Sequence, residues 1–338
     1  MLKVGVAVAS VLLPGVGHAL AGFNRRGIAW LVVSLVATAL VAVTVWALVG
    51  MVFLRIAGVI DALWCTRAGR PPTGWAPSVG LAVAGIVGVN LLRFGAIEAF
   101  KMPSSSMTPT LLVGDHIYVN KLATPDRGDI IVFQQPCTLR DYIKRVVAVG
   151  GDTVEVRCDV LHINGKAIPN TLDPAACSYD DHGDGDDRWS TRDCSRYRET
   201  LDGAAYDVLH DAARPARDRA PRLAPAAFEV PGRDFPDLSP GHPAPSCSSN
   251  DGDAAPGQPP GTLVARAPTP AGFAPCDPQL AFRVPADAVF VLGDNRANSH
   301  DSRYWGVVPI ALVRGRVTGI WYSPGPNGQR WSRFGAVE

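Results

Sequence analysis

The sequence predicts N-terminal transmembrane α-helices followed by a mainly antiparallel β domain that carries a long inserted β/loop subdomain. Three observations carry that expectation. Residues 1–100 are apolar and hold only two acids, Asp61 and Glu98. Between 110 and 170, turn signals at Gly114-Asp115, Gly128-Asp129 and Gly150-Gly151-Asp152 separate short runs rich in Val and Ile. Residues 172–280 are rich in Asp, Pro, Ala and Gly and show no clear periodicity. The 338 residues suffice for one medium domain plus an anchor. Lys+Arg is 32 and Asp+Glu is 31, a net charge of +1. No basic stripe stands out, so no nucleic-acid partner is expected.

The anchor is expected over 1–98. Gly27 to Leu54 is free of charge, and about 20 apolar residues cross the hydrocarbon of a bilayer. Arg25 and Arg26 precede that run, and Arg67 and Arg70 follow the next. Basic residues mark the cytoplasmic side, so both clusters face it only if two spans, 28–46 and 47–65, form a hairpin. A third span, 75–97, then runs outward and delivers the rest of the chain outside the cytoplasm. Arg55 is the awkward residue of the second span, costing about 2.5–3.5 kcal/mol at a span centre. Asp61, six residues on, lies off its face. Residues 1–22 read as an apolar arm, broken by Pro14, Gly15 and Gly17, or as a cleavable export signal. Arg25 and Arg26 directly behind favour the arm.

Strands are expected at His116–Asn120, Ile130–Phe133, Ile143–Val149, Thr153–Val156, Ala288–Leu292 and Val313–Tyr322. Residues 171–280 are expected as an inserted, partly irregular subdomain holding one strand-like piece, Glu199–Leu209. Six of seven cysteines, Cys137, Cys158, Cys177, Cys194, Cys247 and Cys276, lie beyond the anchor. An even number outside the cytoplasm suggests disulfides, and six cysteines allow 15 pairings. No CxxC pair occurs, so neither a metal nor a redox cofactor is expected.

Three segments could carry chemistry. The first is Pro103-Ser104-Ser105-Ser106-Met107-Thr108-Pro109-Thr110, just past the last span. Alone it reads as a polar turn, since a serine hydroxyl is a weak nucleophile until a base takes its proton. The second is Asp141-Tyr142-Ile143-Lys144-Arg145-Val146-Val147. Lys144 shares a face with Val146 in a strand. It either snorkels to water or is buried, where desolvation lowers its pKa and makes a neutral amine available as a base. Arg145 points the other way and is expected as the solvated charge. The third is Gly293-Asp294-Asn295-Arg296 through Gly306, a polar corner behind a strand. His300 with Asp301 and Ser106 does not make a credible triad, because adjacent His and Asp rarely reach the needed geometry.

Taken together and in this order, the three segments resemble the motifs of type I signal peptidases, over roughly 92–170 and 284–335. The resemblance implies a serine endopeptidase with a mainly β catalytic domain, split over 99–170 and 281–338, and no metal or cofactor. It implies Ser106 as nucleophile, Lys144 as general base, and an oxyanion hole from the Ser104 hydroxyl and the Ser106 N–H. Ser299 would orient the lysine, with structural support from Asp294, Asp301 and Arg303. Phe100, Met102, Pro103, Leu111, Tyr142 and Ile143 would line shallow pockets for small side chains. The partners implied are preproteins with signal peptides and the lipid bilayer. The place implied is a bacterial cytoplasmic membrane, multi-pass, with the catalytic domain on the outer side. The eukaryotic versions have histidine where Lys144 stands. Three rivals are a processing peptidase with one dedicated partner, a non-catalytic scaffold, and a transporter built on the spans. For a transporter the sequence offers Arg55 and Asp61 and no cluster of paired charges.

Overall fold

The computed structural model describes residues 2–71, 75–182, 189–219, 234–236, 247, 261–268 and 276–337. Much of the expected subdomain 171–280 lies outside them. Five helices come first: α1 Leu2–Leu12, α2 Val16–Leu20, α3 Asn24–Leu40, α4 Ala47–Cys65 and α5 Ala76–Gly95. Gly15, with φ +87°, breaks the arm between α1 and α2, and a Cβ there would fall 2.1 Å from the Gly27 carbonyl oxygen. Two helices among the described residues are long and apolar enough to span a membrane, Ala47–Ala68 and Ala76–Gly95. The first expected span, 28–46, is helical only through the 17 residues of α3, and turns occupy 41–46. Val32, Val36, Phe53, Ile56, Ile60, Val83, Ile86 and Leu91 stand exposed on these helices. Such an apolar belt is suited to lipid.

The bundle holds one cluster of paired charged and polar groups around Asp61, contrary to the sequence expectation of no paired cluster. Asp61 accepts from Arg26 Nη2 at 2.6 Å, Trp30 Nε1 at 2.8 Å and His18 Nε2 at 3.0 Å. The partners come from α2 and α3, so no spacing within one helix reveals them. Arg55 instead donates to the Val11 carbonyl at 3.1 Å, where the broken arm leaves helix-end carbonyls free.

The β domain holds β1 Ile97–Lys101, β2 His116–Asn120, β3 Ile130–Gln134, β4 Asp141–Val149, β5 Thr153–Arg157, β6 Val160–Ile163 and β7 Lys166–Ala167. Then come β8 Asn170–His182, β9 Trp189–Leu201, β10 Ala204–Asp211, helix α6 Arg214–Arg219, β11 Thr262–Ala265, β12 Leu280–Arg283 and β13 Ala288–Leu292. Helix α7 Ser302–Trp305 leads to β14 Val308–Pro309, β15 Val313–Tyr322, β16 Pro324–Gly325, β17 Gly328–Gln329 and β18 Gly335–Ala336. The main sheet is ordered β1-β2-β15-β3-β4-β13-β14, with β18 on β15. All its described pairings are antiparallel. A second sheet, β11-β12-β5-β6-β7, a third, β10-β9-β8, and the two-stranded β16-β17 complete the described domain.

The described part of the insertion is more regular than expected. Glu199–Leu209 is not one strand: Asp202 and Gly203, with φ +48° and +88°, turn it into the β9–β10 hairpin. An Asp-Gly pair with both residues at positive φ matches the twist of paired strands. The six cysteines pair Cys137–Cys247, Cys158–Cys276 and Cys177–Cys194. Tyr197, Leu201, Tyr206 and Val208 of the third sheet pack with Val147, Phe290 and Leu292 of the main sheet in one core. That packing overturns the expected solvation of Arg145, which is 1% exposed. Its guanidinium lies 3.9 Å from the Tyr206 ring centre, so strand β4 is covered on both faces.

Candidate active site

Strand β4 carries Lys144. Val and Ile around it favour a pleated strand, and the Gly150–Gly151 turn ends it. Asp152 secures that end by accepting the Val149 N–H at 2.9 Å and holding Arg127 at 2.6 Å. In register, Lys144 faces Ile131 of β3, in the middle of the sheet. Its side chain is buried, and burial depresses its pKa from 10.5 to about 8, against the pull of Asp301 and Asp294.

The Ser104–Thr110 turn brings the serine to that amine. Ser106 Oγ lies 2.6 Å from Lys144 Nζ and 3.2 Å from Ser104 Oγ. The turn is held from the opposite wall: Asn295 N–H donates to the Ser106 carbonyl at 3.1 Å, and Asn295 Nδ2 to the Ser105 carbonyl at 3.2 Å. Below, Asp115 accepts Leu112 N–H at 2.8 Å and Arg333 Nη2 at 2.7 Å, fixing the far end of the same loop. Among the described residues no acceptor engages the Ser106 N–H.

The polar corner behind β13 supplies the rest. Asp301 accepts Gly293 N–H at 3.0 Å, the Ser299 hydroxyl at 2.8 Å and Arg303 Nε at 2.8 Å. Ser299 thus donates to Asp301, while the Lys144 hydrogen bond goes to Ser106. Gly293 permits this crowding, since a Cβ there would lie 2.2 Å from Ser299 Oγ and 2.5 Å from the Ser106 carbonyl oxygen. Asp294 faces the other way, taking Arg145 Nε and Nη2 at 2.8 Å each and the Thr110 hydroxyl at 2.5 Å. His300 is exposed and stacks near Tyr304, with ring centres 4.9 Å apart.

A cleft of about 970 Å³ opens over these groups, lined in part by Phe100, Met102, Pro103, Tyr142, Ile143 and Ser299. Leu111 does not line it; it is fully buried with Met102, Met107 and Ile117 in the core beneath. Sequence reasoning passed over the buried pairs that brace the site. Arg296 donates to Glu199 at 2.6 Å, and the Tyr206 hydroxyl donates to the same carboxylate at 3.1 Å. Their one sequence signal is that Glu199 and Tyr206 both lie in the strand-like piece Glu199–Leu209.

A buried amine beside a serine, in a β domain behind apolar helices, is an arrangement for acyl transfer. Residues 73–218 and 246–322, more than half of the chain, match the family described as signal peptidase, peptidase S26. The chain belongs to that family of serine peptidases. A signal peptidase I of Aquifex aeolicus (strain VF5) is 33% identical over 253 residues, covering 70% of this chain and 80% of the relative. A signal peptidase I of Pseudomonas aeruginosa is 26% identical over 281 residues, covering 74% of each. A solved signal peptidase I from Enterococcus faecalis gives a TM-score of 0.26 at 23% identity, over 58% of this chain and 98% of that one. Membership rests on the sequence matches.

Proposed function

We propose that this protein removes signal peptides from exported preproteins, with Ser106 as nucleophile and Lys144 as general base. The observation that carries the proposal is the 2.6 Å contact between a buried lysine amine and a serine hydroxyl at the floor of an open cleft. Neutral Lys144 takes the hydroxyl proton as Ser106 Oγ attacks the scissile carbonyl carbon. The oxyanion is held by the Ser106 N–H and the Ser104 hydroxyl, and one such donor is worth about 2.7–4 kcal/mol of barrier. Collapse breaks the C–N bond, and the Lys144 ammonium protonates the leaving amine. Lys144 then activates a water that hydrolyses the acyl-enzyme. Ser299, whose hydroxyl donates to Asp301, lines the same cleft as Lys144 and is proposed to help set the lysine's position. Phe100, Met102, Pro103, Tyr142 and Ile143 shape shallow pockets that take small residues before the scissile bond.

The helices anchor the protein as a multi-pass protein of a bacterial cytoplasmic membrane, with the β domain on the outer side. Basic Arg25, Arg26, Arg67 and Arg70 on the inner side and three disulfides in the β domain support that orientation. The test is cleavage of a purified preprotein with an alanine-x-alanine site, in detergent, by wild type, Ser106→Ala and Lys144→Ala. Cutting at the signal junction by wild type alone, with both variants folded, is the expected result. Activity retained in Lys144→Ala would place the base elsewhere. A wild type that cuts this preprotein but no other would favour a dedicated-partner peptidase.

A further inference from the structure

The hairpin β8–β9 reaches the catalytic turn with one buried carboxylate. Asp181, near the end of β8, has a side chain only 6% exposed. One of its oxygens accepts the hydroxyl proton of Ser105, the residue immediately before Ser106. The other takes Arg192 Nε at 2.6 Å and Asn298 Nδ2 at 3.3 Å. Asn298 Nδ2 also donates to Ser105 Oγ at 3.0 Å. Ser105 is 2% exposed, and its carbonyl already accepts from Asn295 Nδ2 and from Thr108 N–H at 3.0 Å. Its hydroxyl is therefore pinned between a strand and the polar corner. Nothing in the chemistry of acyl transfer requires a third serine at 105. A buried hydroxyl does require partners, and these come from two different elements.

We infer that Asp181 is a positioning residue for the reaction: it holds Ser105, and through Ser105 the turn that presents Ser106. The inference rests on the reading of Ser106 as nucleophile. Arg192, itself exposed, reaches in to complete the carboxylate's set of partners at 2.6 Å. The Cys177–Cys194 disulfide joins the two strands four residues before Asp181 and two after Arg192. In register, Cys177 lies opposite Cys194, so the crosslink fixes the strand alignment that sets Asp181 and Arg192 together. Asp181 and Arg192 also form part of the cleft wall. The described end of the hairpin is thus both a wall for the substrate and a clamp on the nucleophile's turn.

A residue acting only through geometry lowers turnover without changing how the base titrates. The test uses the full-length protein in detergent on a purified preprotein: wild type, Asp181→Ala, Asp181→Asn, Ser105→Ala and the double variant Asp181→Ala/Ser105→Ala. Misplacing a reacting group by about 1 Å costs on the order of a hundredfold in rate. Asp181→Ala and Ser105→Ala are therefore each expected to lower kcat by roughly ten- to a hundredfold. The pH profile does not move, because the base is untouched, and the loss falls mainly on kcat even though Asp181 also borders the cleft. The double variant falls no further than the worse single, as coupled residues do. Wild-type kcat in Asp181→Ala, or losses that multiply in the double variant, would overturn the inference. Should Asp181→Ala fail to fold, Ser105→Ala removes the same hydrogen bond from the other side and decides the matter. A wild type that cuts no preprotein overturns the functional reading and this inference with it.

Discussion

In the proposed mechanism Lys144 acts as a base only when neutral, and burial depresses its pKa to about 8. Below that pH it carries a proton and cannot accept one from Ser106. Activity is therefore expected to fall about tenfold per pH unit as pH drops beneath about 8. Asp301 and Asp294 oppose the depression, while Arg303 adds to it. In Asp301→Asn one anion that favours the ammonium is gone and Arg303 remains. Both effects lower the lysine pKa, so the acidic limb of kcat/KM moves to lower pH. A limb that moves upward would assign it to another group. Gly293 is a second single-residue constraint. A Cβ there meets Ser299 Oγ at 2.2 Å and the Ser106 carbonyl oxygen at 2.5 Å, and neither neighbour is a loose chain end. Gly293→Ala is expected to cut kcat by about a hundredfold through displacement of the serine. Measured kcat beside a melting curve separates that loss from unfolding.

Strand β4 shows what one element contributes by being covered twice. One face presents Lys144 to the cleft, and the other presents Arg145 to Asp294 and Tyr206. Arg145→Met keeps the volume and leaves Asp294 buried without its cation, a change that costs roughly 3–5 kcal/mol. Chemical denaturation should show that loss, and stability within 1 kcal/mol of wild type would mean Asp294 finds another partner. The second face was hidden in the sequence. Alternation places Lys144 and Arg145 on opposite sides but does not say which sides are covered, and the cover here comes from Tyr206, 61 residues beyond Arg145. Strands β2, β13 and β15 fall at the expected bounds because each is a run rich in Val and Ile beside a turn signal. Strand β8 does not betray itself, because its exposed positions mix apolar Leu172, Ala175 and Ala176 with polar Thr171, Ser178 and Asp180, and its apolar period is lost. Its alignment is set by Cys177–Cys194, and pairings of cysteines are not written in their spacing. The serine, lysine and corner segments were legible as motifs; the network of Asp181, Glu199 and Arg296 behind them depends on tertiary contacts alone.

At the scale of the whole molecule the anchor does more than tether. The turn after α3 docks against the β domain: Val45 is fully buried, and Trp46 meets the Phe334 ring edge-on with centres 5.1 Å apart. Val41 and Ala42 of the same turn share a core with Ala96 and Ile97, where α5 becomes β1. Gly319 of β15 makes room, since a Cβ there would lie 2.7 Å from Val45 Cγ1. The catalytic domain therefore meets the helix bundle twice, through its own chain at α5–β1 and through this docked turn. In the proposed membrane orientation, these two attachments fix the height and tilt of the cleft over the bilayer. That matters only for a substrate held in the same membrane, whose scissile bond sits at a set depth. Effective concentration depends on such geometry, without any new contact. Val45→Glu places a charge where no partner waits, and desolvation drives the turn off the domain. Cleavage of a preprotein in reconstituted vesicles is expected to slow by about tenfold. A short soluble peptide carrying the same site is cut as before, because Ser106 and Lys144 are held by β4 and the polar corner, not by the turn. An equal loss on both substrates would mean that the docked turn supports the active site itself. Equal rates of wild type and variant on the vesicle substrate would mean that the α5–β1 junction alone sets the geometry.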